Sequence, residues 1–454
     1  MRKYFGTDGI RRIANTELSP ELVYKVAKAG AYVLSKHTDK APTILIGRDT
    51  RISGTLIESA MVAGFLSYGA NVKLLGVIPT PAVAYLTKKL NADASVVISA
   101  SHNTYEFNGI KFFSNKGMKI PDSLEEEIEE VMDSGKLDEL TAVNDKIGVS
   151  EYRADLLDEY VYFFRKNFDD KVSKYNKEDF KVCLDTANGA TSIVAQKVFK
   201  VLGIKHEIIN NQPDGININR NCGSTHLDML KNYVVEHNFN LGIAYDGDGD
   251  RCLAVDENGN EIDGDKILAI ISRNLREKGM LKKDTIVATV MSNLGLNKYA
   301  RDNGLELLQT KVGDRYVLEE MLKSGFNLGG EQSGHVILLD YNPTGDGILT
   351  SLMLILSILE ENQKASEVAS IVKLYPQILV NAKVNSDKKY GYDKDDEIKE
   401  EIEKLEREFA GNGRVLIRPS GTEPLVRVMI EGEDQEYITK KAEKIAKLIE
   451  EKLG

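Results

Sequence analysis

The chain has 454 residues, which is too long for one hydrophobic core, so we expect it to divide into three or four domains. Apolar residues make up 42% of the chain and charged residues 28%, a composition typical of a globular protein. The formal net charge of −11 argues against a nucleic-acid partner, because general nucleic-acid binders need excess Lys and Arg to displace the counterions of phosphates.

Signals for secretion or membrane insertion are missing from the sequence. Its first residues are polar, and no later stretch reaches the roughly 18 apolar residues that a membrane-spanning helix needs. The cysteines, Cys183, Cys222 and Cys252, are odd in number and form no CxxC pair, which predicts free thiols in a reducing compartment. We therefore expect a cytoplasmic protein without a membrane partner.

One pattern occurs three times along the chain: an apolar strand, a polar loop, a helix that ends near a glycine, and a second strand. Glycine suits a helix end because it adopts the left-handed conformation without steric cost. Strands joined by crossover helices pair in parallel. The sequence predicts three related α/β domains with mixed, mostly parallel sheets. The first strands begin at Thr43, Val182 and Ile286, and the helices end near Gly69, Gly203 and Gly304.

After about residue 368 the sequence changes character. A highly charged stretch over residues 390–409 predicts a solvated helix, two strands follow at 414–418 and 425–430, and an amphipathic helix runs from about Gln435 to Leu453. This order predicts a smaller C-terminal α+β domain. The predicted domain boundaries are 1–153, 154–254, 255–368 and 369–454.

The first candidate site follows the apolar strand at residues 96–98, where Ser101 stands in a small polar turn. A serine at a strand end presents its hydroxyl at the sheet edge where open α/β folds bind ligands. Ser101 is not in a GxSxG elbow, and the adjacent His102 is poorly placed as a triad base, which disfavours acyl hydrolysis. A phosphoryl-carrying serine is the interpretation we favour, while taken alone the segment also fits a capping turn.

The strongest signal is the segment 246–251, which places Asp246, Asp248 and Asp250 at alternate positions separated by glycines. Carboxylates at this spacing point to one side of an extended chain, and oxygen ligands without His or Cys suit Mg²⁺. An EF-hand is disfavoured because Arg251 stands where that loop requires glycine, and because the flanks predict strands. The other alternative is a solvated acidic turn.

Two further loops carry polar groups. The glycine-rich segment 329–335 contains Glu331, Ser333 and His335, a mixture of donors and acceptors that suits sugar hydroxyls. The segment 418–424 places hydroxyls and a glycine between two strands, with Arg418 and Arg427 beside it. Such a turn predicts the capture of a phosphate dianion, and a plain hairpin turn is the alternative.

Together with the opening segment 5–11, these four motifs resemble the α-D-phosphohexomutase superfamily, and most closely its phosphoglucosamine mutase branch. The motifs keep the order of that family across the whole chain. The resemblance implies that the three α/β domains and the α+β domain surround a central cleft and contribute one loop each. It also implies an isomerase that interconverts glucosamine 6-phosphate and glucosamine 1-phosphate, feeding UDP-N-acetylglucosamine and cell-wall synthesis.

The same resemblance implies roles for individual residues. Ser101 would be the phosphoserine, and Mg²⁺ would join its phosphate to Asp246, Asp248 and Asp250. Glucosamine 1,6-bisphosphate would be the intermediate, and a homodimer is possible. The groups implied around the reacting centre are Arg11, His102, Lys111, Arg251 and His335; those for the sugar are Glu331 and Ser333; those for the non-reacting phosphate are Arg418, Ser420, Gly421, Thr422 and Arg427.

Three positions depart from the family pattern, and two alternative functions stay open. Arg12 replaces a usual glycine, Thr104 a common proline, and Phe107 a usual acidic residue near Lys111. A phosphomannomutase or phosphoglucomutase would share the chemistry, although the segment 6–9 and Gln332 favour the glucosamine branch by resemblance. A catalytically silent sugar-phosphate-binding protein is the alternative from another class.

Overall fold

A computed structural model describes residues 3–6, 8–420 and 423–454. The chain forms two compact units, one made of the residues up to Met291 together with Leu308–Ile371, and one made of Ser292–Leu307 with Val372–Gly454. The larger unit contains three α/β layers. The smaller unit contains a three-stranded sheet with helices.

The first layer has a six-stranded sheet in the order β1-β5-β4-β2-β3-β6. β4, β2, β3 and β6 are parallel, whereas β5 runs antiparallel to both β1 and β4. The parallel pairing of β2 with β4 brings the loops that follow these two strands side by side. Its elements are β1 (Ile10–Ile13), α1 (Pro20–Leu34), β2 (Thr43–Arg48), α2 (Gly54–Tyr68), β3 (Asn71–Val77), α3 (Thr80–Lys89), β4 (Ala94–Ile98), β5 (Phe107–Ser114), α4 (Asp122–Asp133) and β6 (Ser150–Tyr152).

The second layer has a five-stranded sheet in the order β11-β10-β9-β7-β8. β8, β7 and β9 are parallel, and β10 turns back antiparallel to β9 with Tyr245 opposite Cys252. The aspartate segment is therefore the tight connection of an antiparallel strand pair. Its elements are α5 (Leu157–Val172), β7 (Lys181–Asp185), α6 (Thr191–Val201), β8 (Lys205–Ile209), α7 (Asp228–Glu236), β9 (Leu241–Tyr245), β10 (Cys252–Asp256) and β11 (Glu261–Ile262).

The third layer has a four-stranded sheet in the order β13-β12-β14-β15, in which β14 and β15 form a hairpin. The elements in this part of the chain are α8 (Gly264–Glu277), β12 (Thr285–Thr289), α9 (Leu294–Asp302), β13 (Glu306–Thr310), α10 (Asp314–Ser324), β14 (Leu328–Gly330), β15 (Val336–Leu338), α11 (Gly347–Glu361) and α12 (Ala365–Ala369). Of these, α9 belongs to the smaller unit. Short 3₁₀ helices lie at Asn144–Lys146, Ala154–Leu156, Gly223–Thr225 and Lys282–Asp284.

In the smaller unit, an antiparallel sheet in the order β16-β18-β17 packs against helices. Alternate residues of the central strand, Val426, Val428 and Ile430, are fully buried, and they share a hydrophobic cluster with Ile438 and Ile445 of the last helix. This alternation holds only for the first half of the strand, because Met429 and Glu431 on the opposite face are buried as well. Its elements are β16 (Gln377–Lys383), α13 (Asp396–Phe409), β17 (Arg414–Pro419), β18 (Leu425–Glu431) and α14 (Gln435–Leu453).

The predicted fold class is confirmed. Each of the three predicted strand–helix–strand copies forms, and Gly69, Gly203 and Gly304 adopt positive φ angles of 102°, 63° and 63° after the helices. The charged stretch near residue 400 forms α13. The three cysteines are buried and free, as predicted. Among the helices of the described residues, none combines the length and the apolar character needed to cross a membrane.

Candidate active site

Ser101 lies in the loop between β4 and β5, and only 2% of it is exposed. Its hydroxyl donates to Asp246 Oδ2 at 2.6 Å, which joins the first layer to the aspartate loop of the second. The backbone at Ser101 has a φ of +52°, a left-handed conformation that is uncommon for residues other than glycine. Strained backbone of this kind persists only where surrounding contacts hold it, and it is enriched at functional sites.

A buried ion pair supports this loop from within the first layer. Arg51 and Asp49 follow β2, both are almost fully buried, and Arg51 Nε lies 2.8 Å from Asp49 Oδ2. Ser99 Oγ donates to the same Asp49 oxygen at 2.6 Å and accepts the Ser101 N–H at 2.9 Å. The planar guanidinium offers five donors in a fixed fork, so it can hold several carbonyls at once. The loop carbonyls that accept from it belong to Ser101, Asn103, Thr104 and Phe107.

The second layer supports the loop from the other side. Asn219 Nδ2 donates to the carbonyls of Ser101 at 2.8 Å and Asn103 at 2.9 Å. A Cβ atom at Gly247 would lie only 2.6 Å from the Ser101 carbonyl oxygen, so a side chain there would push the two loops apart. Gly247, which lacks a side chain, therefore allows the backbone of the aspartate loop to lie close to the backbone of the serine loop.

The three aspartates gather as predicted and are all buried, with one oxygen of each within 4.8 Å of the others. Asp248 Oδ2 accepts from Thr80 Oγ1 at 2.7 Å, while Asp248 Oδ1 and Asp250 Oδ1 have no hydrogen-bond partner among the described residues. Burial and the charges of Asp250 and Asp248 raise the pKa of Asp246 well above its usual value. A divalent cation would relieve this repulsion and use the two unpartnered oxygens, so the donor set fits a hard metal ion.

Cations from several segments face the carboxylates. Lys111 of β5 is 2% exposed, and its Nζ lies 3.1 Å from both Asp248 Oδ2 and Asp8 Oδ2. Burial alone would lower the pKa of Lys111, but the nearby carboxylates raise it well above the usual value, so this side chain stays charged. Arg11 Nη2 lies 2.7 Å from Asp8 Oδ2. The backbone N–H of Arg251 donates to Asp246 Oδ1 at 3.2 Å, and Nε of its side chain has no hydrogen-bond partner within the described part of the chain.

Two histidines flank the cluster. His102 Nδ1 lies 3.5 Å from Ser101 Oγ, and burial together with the Arg251 and Arg11 charges lowers the pKa of His102 to about 4. His335 Nδ1 lies 3.5 Å from Asp250 Oδ2, and its Nε2 accepts the Gly345 N–H at 3.0 Å. Burial alone would lower the pKa of His335, whereas the carboxylates of Asp250 and Asp314 raise it. The Gly345 N–H favours a proton on Nδ1, facing Asp250.

The third layer brings the predicted sugar loop next to the aspartate loop. This segment connects β14 to β15, and the Cys252 N–H donates to the Gly334 carbonyl at 3.0 Å. Glu331 Oε1 accepts the Gly313 N–H at 3.3 Å, and burial raises the pKa of Glu331 although the His335 charge opposes it. Ser333 is half-buried in the same loop. Ser101, the three aspartates, Glu331, Ser333 and His335 therefore lie in one unit around neighbouring loops.

The described members of the predicted phosphate-binding set, Arg418, Ser420 and Arg427, lie in the smaller unit. Arg418 of β17 and Arg427 of β18 are direct partners in the ladder, and burial together with the Arg427 charge lowers the pKa of Arg418. Like charges opposite each other destabilise a sheet, so this pair favours a bound anion. Ser420 Oγ accepts the Glu423 N–H at 3.3 Å. Gly421 and Thr422 lie outside the described residues.

None of the three positions that depart from the family pattern is one of the three clustered aspartates. Arg12 Nη2 donates to the Lys3 carbonyl at 2.9 Å. The Thr104 carbonyl accepts from Arg51, and the Phe107 N–H donates to that same carbonyl at 3.2 Å. The carboxylates close to Lys111 are Asp8, Asp248 and Asp250.

Several site residues escaped prediction from the sequence. Asp8 stands in the opening motif, and Asp49 and Arg51 stand in the loop after the first predicted strand, so their place at a strand end was a usable signal. Thr80, Lys119 and Asp314 carried no local signal, because their partners are distant in sequence. The contact between Lys119 and Asp314 joins residues 195 positions apart.

Comparisons with known proteins agree with this geometry. Four family descriptions match consecutive parts of the chain: phosphoglucomutase/phosphomannomutase alpha/beta/alpha domain I at residues 2–139, domain II at 158–259, domain III at 263–375, and the C-terminal domain at 379–448. The chain belongs to the phosphoglucomutase/phosphomannomutase family. The family predicted from the sequence motifs is thereby confirmed.

Individual relatives extend this result. Phosphoglucosamine mutase of Ruminiclostridium cellulolyticum is 52% identical over 454 residues, which covers 100% of both chains. A phosphoglucomutase/phosphomannomutase family protein of Burkholderia thailandensis has the same fold, with a TM-score of 0.78 at 23% identity over 98% of both chains. Aspergillus fumigatus N-acetylphosphoglucosamine mutase, solved with GlcNAc-6P and magnesium, gives a TM-score of 0.70 at 16% identity, covering 99% of this chain and 96% of that one.

The support of the serine loop by Arg51 can be tested by Arg51→Lys. Lysine keeps a charge beside Asp49 but cannot reach the four loop carbonyls together, and each buried group left unpaired costs about 1–3 kcal/mol. We expect the local opening free energy of the amides at residues 99–107 to fall by about 2–4 kcal/mol. Native-state hydrogen exchange measures this quantity residue by residue.

Arg48→Lys is the matched control, because Arg48 ends β2 and pairs with the partly buried Glu58 at 3.4 Å. Its effect on the amides of the serine loop should be within about 0.5 kcal/mol, as for an ordinary partly exposed ion pair. Equal protection of the loop in Arg51→Lys and in the wild type would contradict the supporting role.

Proposed function

We propose that this chain is a phosphoglucosamine mutase, an isomerase that interconverts glucosamine 6-phosphate and glucosamine 1-phosphate by way of a phosphoserine. The observation that carries the proposal is the Ser101 hydroxyl, held on a strained and buried loop 2.6 Å from Asp246 at the edge of the three-carboxylate cluster. The prediction from the sequence and the names of full-length relatives at 52–54% identity agree on this activity. Its product would feed UDP-N-acetylglucosamine and cell-wall synthesis.

The metal in this proposal is Mg²⁺. Asp246, Asp248 and Asp250 offer oxygen ligands only, and two of their oxygens lack a protein partner in the described chain, which favours a hard cation that also takes phosphate or water oxygens. When bound, the ion neutralises charge on the phosphoryl group of Ser101. The magnesium present with the Aspergillus fumigatus enzyme is in keeping with this choice.

In the proposed reaction the Ser101 oxygen releases its phosphoryl group to a free hydroxyl of the hexosamine phosphate. The P–O bond to serine breaks as the P–O bond to the sugar forms, and the hydroxyl proton passes to a basic side chain. His102 and His335 are the candidates for that base, because Lys111 is held in its charged form. The charges of Arg11, Lys111 and Arg251 stabilise the transferring group electrostatically. The product of this step is glucosamine 1,6-bisphosphate.

The second half of the reaction returns the other phosphate to Ser101 after the bisphosphate has turned over. Glu331 and Ser333 would hold the sugar hydroxyls in either orientation. The pair Arg418 and Arg427 would hold the phosphate that is not reacting, together with Ser420, Gly421 and Thr422. The predicted domain boundaries 1–153, 154–254, 255–368 and 369–454, a homodimer and a cytoplasmic location are kept as parts of this proposal.

The substrate choice is tested by comparing kcat/KM for glucosamine 1-phosphate, glucose 1-phosphate and mannose 1-phosphate. We expect the glucosamine compound to be preferred by at least about tenfold, which is 1.4 kcal/mol of differential transition-state binding. A preference for the mannose phosphate would assign the chain to the phosphomannomutase alternative. Turnover of none of these compounds would favour a protein that only binds sugar phosphates.

The phosphoserine is tested by intact-mass analysis after incubation with a hexose 1,6-bisphosphate. We expect one phosphate on the wild-type protein and none on Ser101→Ala, because the phosphoryl group resides on this hydroxyl. Ser95→Ala is the matched control: Ser95 of β4 is also buried, its hydroxyl hydrogen-bonds Thr87 Oγ1 at 2.6 Å, away from the serine loop, and its loss should leave the phosphate on the protein. A wild-type protein that stays unphosphorylated would contradict the mechanism.

The metal ligands are tested by Asp248→Asn, which removes a charge at nearly constant volume. Loss of one ligand should lower kcat by about 100- to 1,000-fold, because metal assistance is worth several kcal/mol. Isothermal titration with Mg²⁺ or Mn²⁺ should also show weakened binding. Asp256→Asn is the control, since this buried carboxylate of β10 accepts from Asn258 and Asn260 instead. Equal metal affinity in Asp248→Asn and the wild type would refute the ligand assignment.

A further inference from the structure

Lys119 occupies an unusual position between two acidic side chains. Its Nζ lies 2.5 Å from Asp8 Oδ1 and 2.5 Å from Asp314 Oδ2, and only 12% of its side chain is exposed. The backbone at Lys119 is fixed by an antiparallel bridge to Phe113 of β5. Asp314 is the first residue of α10, so Lys119 connects the first layer to the third.

Each of the two carboxylates reaches groups that the proposed reaction uses. On one side, Asp8 Oδ2 lies 2.7 Å from Arg11 Nη2 and 3.1 Å from Lys111 Nζ. On the other side, Asp314 Oδ2 lies 3.5 Å from His335 Nε2. Lys119 is therefore one residue removed from three candidate catalytic groups.

The contacts continue into a closed ring in which acidic and basic side chains alternate. His335 meets Asp250 at 3.5 Å, and Asp250 lies 3.8 Å from Lys111, which returns to Asp8. In a ring of this kind the position of each carboxylate depends on the basic side chains on both of its sides. Removing one cation leaves two carboxylates facing each other in a poorly solvated site, and they move apart or draw in protons. The members of the ring are Asp8, Lys119, Asp314, His335, Asp250 and Lys111.

We propose that Lys119 is a positioning residue of the reaction, which holds Asp8 and Asp314 in place and through them orients Arg11 and Lys111 on one side and His335 on the other. The inference rests on the proposed function, since it assigns a role in the same mutase site. Lys119 acts through its neighbours, so its loss should affect the chemical step more than the binding of substrate.

The test compares Lys119→Met with Lys116→Met, using glucosamine 1-phosphate as substrate. Lys116 is exposed in the same turn, so the control removes the same charge without touching the ring. A misplacement of catalytic groups by about 1 Å costs about 100-fold in rate, so we expect kcat of Lys119→Met to fall by about that factor. KM should stay within about threefold of the wild type, because the lost interaction favours the transition state. Lys116→Met should keep the wild-type kcat.

Two further variants separate positioning from a general loss of structure. Lys119→Arg keeps the charge and should recover at least about tenfold in kcat over Lys119→Met, since two carboxylates still face a cation. The double variant Lys119→Met with Asp314→Asn removes one of the stranded carboxylates. It should be no slower than Lys119→Met, because the two sites are coupled. If Lys119→Met does not fold, this charge-balanced variant carries the measurement.

Several outcomes would overturn the proposal: an unchanged kcat in either variant lacking Lys119, a raised KM with unchanged kcat, or an equal fall in Lys116→Met. A kcat of the double variant that lies clearly below that of Lys119→Met would also overturn it, since residues that act independently contribute additive free energies. The wild type is assayed first. Failure of the wild type to turn over any hexose phosphate overturns the proposed function and this inference together, whereas an active wild type with an unaffected Lys119→Met overturns this inference alone.

Discussion

The burial of like charge is the constraint on which the rest of this molecule depends. Asp246, Asp248 and Asp250 lie within a few ångströms of one another and away from bulk water, which is costly unless positive charge and hydrogen-bond donors surround them. Besides Arg251 in the aspartate loop itself, those partners come from other layers: Lys111 and Thr80 from the first, and His335 from the third. The site therefore depends on three layers in contact.

The serine loop shows how such a site is kept rigid. Two side chains from different layers, Arg51 and Asn219, bind the same pair of carbonyls, at Ser101 and Asn103. A loop fixed on both sides loses little entropy when a reaction begins, which is the benefit of preorganisation in catalysis. The strained backbone at Ser101 is tolerated because these contacts leave it no alternative.

Much of the fold and part of the site could be predicted from the sequence, and the difference has a physical cause. Strand and helix order follows from local periodicity, so the three α/β layers and the C-terminal α+β unit were predictable. The aspartates and Ser101 could be predicted because they stand in short segments. The alternate spacing of the aspartates indicates a metal site, and the position of Ser101 after a strand indicates a ligand site. Lys119 and Asp314 could not be assigned, because a buried ion pair is defined by partners that only tertiary packing brings together. In the sequence alone these residues cannot be distinguished from charged residues on a solvated surface.

The left-handed backbone at Ser101 also limits which amino acid can stand there. Threonine carries a hydroxyl of similar chemistry, but its branched Cβ is strongly disfavoured at a φ of +52°. Replacing serine by threonine would therefore set the side chain against its own backbone, even though the new residue could in principle accept a phosphate. At this position the choice between the two hydroxyl amino acids is made by main-chain conformation rather than by reactivity.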